Sequence, residues 1–194
     1  MTLFIIASAS SFAGMLAGML GIGGGIVIVP IIYYLLTYFG FDQSIIMHVA
    51  VGTSLFIIIP TGLRSAFEHS KRGALKKSIF KKWFIPIALG SIFGSYLAGI
   101  SSFKGLTLLF ATLASVVSYQ MFMSSRENKP LKIIENPMLN FSPFFIGIFS
   151  SMMGIGGGNL SVPIMSYMGI EIRKAIGTSS ALGIVIAVPG SIGF

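Results

Sequence analysis

The run Gly21-Ile22-Gly23-Gly24-Gly25, followed by Val29-Pro30-Ile31, returns 133 residues later as Gly154-Ile155-Gly156-Gly157-Gly158 and Val162-Pro163-Ile164. Ten of the eighteen positions in 14–31 and 147–164 are identical, so the chain is built from two related halves. Glycine and proline both weaken a helix interior, yet both clusters lie inside long apolar stretches. The backbone is thus loosened twice, at equivalent places, where no water is available to repair lost hydrogen bonds.

The surroundings are those of a membrane. Of 194 residues, 54% are hydrophobic and 9% charged, and the mean hydropathy is +0.91. Soluble domains carry about 25% charged residues. Charge-free stretches at 1–41, 43–63, 83–103, 105–125, 136–170 and 175–194 leave room for several spans of about 20 residues. Seven of the thirteen basic residues fall between Arg64 and Lys82. Short basic loops at membrane-helix ends stay in the cytoplasm, so 64–82 and 124–138 are expected to face inward. The net charge of +8 therefore reports topology and attraction to membrane lipid. No nucleic-acid partner is expected, because the basic residues lack aromatic interleaving and a binding module.

Absence of cysteine rules out disulfides and thiolate metal sites. Ala7-Ser8-Ala9 resembles a signal-peptide cleavage site, but no basic n-region precedes it and the apolar run continues past residue 36, so the segment is read as retained. No acid pair, His cluster or nucleophile constellation lies at membrane depth. Neither an enzyme nor a cofactor or metal is expected. Gly21-x-Gly23 is not a dinucleotide fingerprint, since Ile26 stands where the third glycine belongs and no strand precedes it.

The fold class expected is all-α: a polytopic helical membrane protein in two repeated halves, each opening with a glycine-broken hairpin. Apolar runs exceed strand length and period-2 alternation is absent. The first half covers 1–123, a cytoplasmic linker 124–138, and the second half 139–194. As one helix, residues 3–37 would be about 52 Å long, against a hydrocarbon core of about 30 Å. A hairpin turning at Gly21–Gly25 fits better. A re-entrant hairpin gives the halves inverted topology, and a crossing one makes them parallel. Inversion is favoured, because secondary transporters often use it. Helices are expected at about 45–63, 83–100 and 105–123, with Trp83 as an interfacial anchor and a last helix from Ala175. The second half has no counterpart of 64–123 and reads as truncated, with a homodimer or another partner supplying the missing helices.

Proline suits the first position of a helix. Gly21–Val29 and Gly154–Val162 are therefore expected to be partly unwound, with half-helices starting at Pro30 and Pro163. Free N–H groups at a half-helix N-terminus make a positive site without Lys or Arg. The candidate path residues are Gly21, Gly23, Gly24, Gly25 and Pro30 in the first copy, and Gly154, Gly156, Gly157, Gly158 and Pro163 in the second. Asn159 and Ser161 add side-chain hydrogen bonding only to the second copy, where the first has Ile26 and Ile28. Another element repeats at an offset of 125: Ala50-Val51-Gly52-Thr53-Ser54 and Ala175-Ile176-Gly177-Thr178-Ser179. Thr53, Ser54, Thr178 and Ser179 are expected to complete polar pockets facing the glycine turns. The plainer alternatives are close helix packing for the glycines and hydroxyls bonded back to their own helix. Packing is the simplest reading of Gly14/Gly18 and Gly90/Gly94.

On the doubled glycine cluster with Val-Pro and the two Gly-Thr-Ser elements, the chain resembles the TauE/SafE family of sulfite and organosulfonate exporters over essentially its whole length. The resemblance implies a multi-pass protein of a bacterial inner membrane with about eight segments in two repeats. It also implies a small sulfur-containing anionic substrate such as sulfite, thiosulfate or an organosulfonate. Gly21–Gly25 and Gly154–Gly158 would then line the anion path of a secondary transporter. The alternatives are a non-transporting membrane scaffold, truncated in its second half, and an anion channel.

Overall fold

The computed structural model describes residues 24–124 and 141–194, and among these only helices and short connections occur. In chain order they are α1 (Gly25–Tyr38), α2 (Gln43–Lys71), α3 (Lys77–Ile100), α4 (Phe103–Ser124), α5 (Ser142–Met152), α6 (Gly158–Tyr167) and α7 (Ile172–Ile192). Helices α2, α3 and α7 are long and apolar enough to cross a membrane. By contrast α1, α5 and α6 have 14, 11 and 10 residues. At 1.5 Å per residue, each of the three is roughly 15–21 Å long, too short to span alone.

Several sequence-based boundaries shift. Helices α1 and α6 begin at Gly25 and Gly158, so Pro30 and Pro163 are each the sixth residue of a helix. A proline there removes one intrahelical bond near the end, leaving the carbonyls of Ile26 and Asn159 without their usual donor. That is a smaller cost than unwinding a whole turn. The basic segment 64–82 is mostly helical, because α2 runs on to Lys71 and α3 starts at Lys77, with only 72–76 between them. Arg64 pairs with Glu68 at 2.9 Å on this protruding end. Trp83 is 1% exposed and belongs to the core, not to an interfacial belt. The last helix begins at Ile172, ahead of Ala175. The linker 124–138 and the first glycines lie outside the described residues, apart from Ser124, which ends α4.

Contacts along α2 and α7 fix their directions. Gly52, near the start of α2, faces Phe194 beyond the end of α7, whereas Gly62 and Ser65 face Ile184 and Ser180. The connection after α2 meets the start of α7, where the Lys76 amide donates to Thr178 Oγ1 at 3.0 Å. The two helices are antiparallel. The start of α7, with Arg173 and Lys174, shares one end of the molecule with the basic 72–82 segment. Tyr38–Asp42 lies at the opposite end, where Asp42 caps α2 by accepting from the Ser44 amide at 2.8 Å. That bond holds the exposed Asp42 carboxyl below the usual carboxylate range.

Helix α3 packs against α5 through small residues. A Cβ on Gly90 would collide with Phe144 O, and one on Gly94 with Ile148 O and Ser151 Oγ. A Cβ on Gly147 would lie 2.9 Å from Ser91 N. Matching Phe144 to Gly90 and Ile148 to Gly94 makes α5 run in the same direction as α3, away from the basic end. In lipid, helices associate through such close backbone approach, so Gly90/Gly94 is a packing motif as expected. Ser91 adds a buried bond to Ile186 O of α7 at 2.7 Å.

Gly147→Val should therefore separate α3 from α5 and cost about 3 kcal/mol or more of stability. Gly99→Ala, with its nearest contact at 3.6 Å, should be neutral or gain up to about 1 kcal/mol from helix propensity. Thermal unfolding of both variants in detergent tests the contrast.

Candidate functional site at the second glycine turn

Residues 153–157 join α5 to α6. Helix α5 ends in a glycine cap: the Gly154 amide donates to Ser151 O at 3.2 Å and the Ile155 amide to Ser150 O at 2.9 Å. This pattern requires a left-handed residue, and Gly154 has φ +69°. Gly157, the N-cap of α6, is left-handed as well, with φ +72° and no side-chain cap. Its carbonyl accepts from the amides of Leu160 and Ser161. The amides of Gly158 and Asn159 precede these and, as the first two of the helix, have no intrahelical acceptor.

The turn is gripped by both halves. Ser54 Oγ on α2 donates to Gly154 O at 2.7 Å, fully buried. A Cβ on Gly25 would collide with the same carbonyl, and one on Gly154 would lie 3.0 Å from Val29 Cγ2 and 3.1 Å from Val51 Cα. Gly156 sits against Gly183 of α7, its Cβ position 3.7 Å from Gly183 Cα. The N-terminal residue of α1 thus rests on the turn that opens α6. The N-terminus of α1 therefore meets the turn at the glycine cap that closes α5, three residues ahead of the α6 N-cap.

Buried polar atoms surround this point. The position of a Cβ on Gly157 would be 3.5 Å from Ser161 Oγ and 3.8 Å from Ser150 Oγ, so both hydroxyls flank the N-cap. Asn159 is 4% exposed. Neither end of its carboxamide, nor either serine hydroxyl, has a hydrogen-bond partner. Ser161 reaches back beside Gly157 from one turn along α6, while Asn159, two residues earlier, leaves the helix on another side. Each such orphan costs about 1–3 kcal/mol unless a ligand or water meets it. Among the described residues no charged side chain is buried, and no group of His, Asp or Glu could hold a metal.

The sequence candidates divide clearly. Gly25, Gly154, Gly156, Gly157, Gly158, Asn159, Ser161 and Ser54 come together at the turn, with Gly24 as the N-cap of α1. Pro30 and Pro163 lie one turn further along their helices. Thr53 is on the exposed face of α2. Thr178 bonds back to Lys174 O at 2.7 Å and accepts from Lys76, so it ties a loop to α7 instead of facing a turn. Ser179 is buried and unpartnered, one helical turn before Gly183 on α7. Gly21 and Gly23 lie outside the described residues. Ser150 and Gly183 were missed. Ser150 aligns with Ala17 in the repeat, and that polar-for-apolar exchange was the available signal.

A family model described as sulfite exporter TauE/SafE matches residues 6–194, both glycine clusters included. The chain belongs to the TauE/SafE family. It is 33% identical over 187 residues to a probable membrane transporter protein of Haemophilus influenzae, covering 95% of this chain and 70% of that one. The probable membrane transporter protein YunE of Bacillus subtilis is 26% identical over 212 residues, covering 99% and 78%. A counterpart in Methanocaldococcus jannaschii is 27% identical over 198 residues, covering 93% and 68%. No solved structure matches the chain significantly. These relatives make the chain a membrane protein of a transporter family, in agreement with its composition.

Ser54→Ala should leave Gly154 O unpaired at the centre of the fold. The expected loss is about 1–3 kcal/mol, read as a lower midpoint of thermal unfolding, while Thr53→Ala on the exposed face should change it by less than about 0.5 kcal/mol.

Proposed function

We propose that this chain is a secondary transporter that exports small sulfur-containing anions, such as sulfite, thiosulfate or organosulfonates, across a bacterial inner membrane. The observation that carries the reading is the buried N-terminus of α6, with open amides, the orphaned Ser150 and Ser161 hydroxyls beside its N-cap and the orphaned Asn159 as its second residue. Among the described residues no charged side chain is buried there, so any attraction for an anion would come from helix-end amides and hydroxyls. Such an arrangement suits an anion that must enter and leave, because dipoles and hydrogen bonds hold less tightly than a buried cation would.

The two halves are read as inverted repeats. The antiparallel run of α2 and α7, which carry equivalent Gly-Thr-Ser elements, supports this. So does the course of the second hairpin: α5 leaves the basic end alongside α3, and α6 returns to it before α7 begins. The hairpin is then re-entrant, with 72–76 and 168–171 cytoplasmic and Tyr38–Asp42 outside. Access would alternate as one half rocks against the other around the glycine turns.

The native chain lacks cysteine, so single-cysteine variants map topology directly. Cysteines at Phe141, Gly73 and Glu171 should react with an impermeant thiol reagent only from the cytoplasmic side, and one at Gly40 only from outside. Opposite sidedness of 141 and 171 would remove the re-entrant hairpin. In proteoliposomes, Ser161→Ala should slow sulfite efflux by about tenfold, the equivalent of about 1.4 kcal/mol, with unchanged thermal stability. Efflux equal to that of the unaltered protein would detach the site from transport.

A further inference from the structure

We propose that the groove between α5 and α6 seats one anionic phospholipid, with an acyl chain between the two helices and the headgroup on the basic end of the molecule. The groove has a volume of about 530 Å3. Ser142, Phe145, Ile146 and Phe149 line it from α5, a single helix face at i, i+3, i+4 and i+7, and Leu160 and Ile164 line it from α6. Phe141 at one end and Phe145 on the wall are 72% and 54% exposed. A gap between apolar walls forfeits the dispersion contacts that close packing supplies, so the groove calls for an apolar occupant.

Its length fits one leaflet. From Phe141 to Phe149 the α5 wall runs about 12 Å, close to half of a hydrocarbon core of about 30 Å. Beyond it the chain turns at 153–157 into α6. A lipid chain entering from the basic end matches that depth. A membrane-crossing helix of a partner would find a wall for only part of its length.

Charge decides the headgroup. The Ile170 amide donates to Met165 O at 3.0 Å, so the chain returns to the neighbour of Ile164 just before Arg173 and Lys174. On the other flank Phe144 lies against Gly90. Because α3 runs parallel to α5, Lys81 and Lys82 are rooted further toward the basic end than Phe141. The Lys76 amide bond to Thr178 Oγ1 ties the 72–76 connection to α7, which holds the cations of both connections on one surface. Arg72, Lys76, Lys77, Lys81, Lys82 and Arg173 are exposed, and none of them pairs with an acid among the described residues, whereas Lys174 is held by Glu171 at 3.1 Å. Basic surfaces at the ends of membrane helices attract anionic headgroups. A zwitterionic lipid brings its own cation beside the phosphate and cancels that attraction. The inference requires only that the basic end lies at a membrane surface, and it is independent of the transported solute.

The test is titration of the purified full chain, stripped of lipid in detergent, with dioleoyl phosphatidylglycerol or dioleoyl phosphatidylcholine. Native mass spectrometry counts retained lipid and thermal unfolding reports binding. One phosphatidylglycerol per chain should be retained, at least about fivefold more tightly than phosphatidylcholine. Arg173→Gln combined with Lys82→Gln should cut that preference by about fivefold or more and leave phosphatidylcholine binding unchanged. Ile164→Trp, with Leu160→Trp as a second groove-filling variant should the first not fold, should abolish retention, whereas Leu89→Trp on the exposed face of α3 should not. Equal affinity for the two lipids would overturn the proposal, as would undiminished retention in a folded groove-filling variant. An equal thermal shift with glycerol phosphate, which has the charge but no chain, would overturn it too. So would a dimer that Ile164→Trp breaks, since the groove would then be an interface between copies.

Discussion

A peptide group in hydrocarbon must find a hydrogen-bond partner inside the protein, and the second glycine turn is organised by that demand. Several of its carbonyls and amides have a defined partner. Ser150 and Ser151 carbonyls are closed by the glycine cap, Gly154 O by Ser54, and Gly157 O by the first turn of α6. Some buried hydroxyls are left over elsewhere, at Ser166 near the end of α6 and Ser179 on α7, but Ser150 and Ser161 flank the N-cap of α6 and Asn159 is its second residue. A buried surplus at a helix N-terminus calls for a partner.

The glycines serve this arrangement in two ways that sequence reasoning set against each other. Close packing and an exposed backbone looked like alternatives, but here one depends on the other. Gly25 and Gly183 must lack side chains so that α1 and α7 can approach the turn. That approach is what seals irregular backbone away from lipid. Left-handed Gly154 and Gly157 then shape the turn itself. The turn stays irregular because the packing around it is tight.

Much of this was legible beforehand. Composition identified the membrane, the glycine cluster marked the turn at 153–157, and the polar exchange at Asn159 and Ser161 set the second copy apart. Helix boundaries were less legible, for local reasons. Proline was read as a helix start at Pro30 and Pro163, although one lost bond near an end is tolerated. The charge run 64–82 was read as a loop, although α2 and α3 simply extend past the apolar zone. Trp83 was assigned to an interface on hydropathy alone, which cannot tell a lipid-facing aromatic from one buried between helices. Thr53 and Ser54 adjoin in sequence but point to different faces of α2, so their divergent fates followed from a helical rotation that a motif does not display. Ser150 is hard to single out in a sequence, because it differs from its repeat counterpart Ala17 by one hydroxyl and lies inside α5, away from the glycines.

The crossing of α3 with α5 has an architectural consequence. A helix from the first half supplies the wall for the hairpin of the second, and Gly90, Gly94 and Gly147 bring the two backbones so close that neither finds a substitute in lipid. Pulled apart, α3 and α5 would each present a trench of bare backbone to the acyl chains, so the stretch before residue 124 and the stretch after 141 lean on one another for shelter.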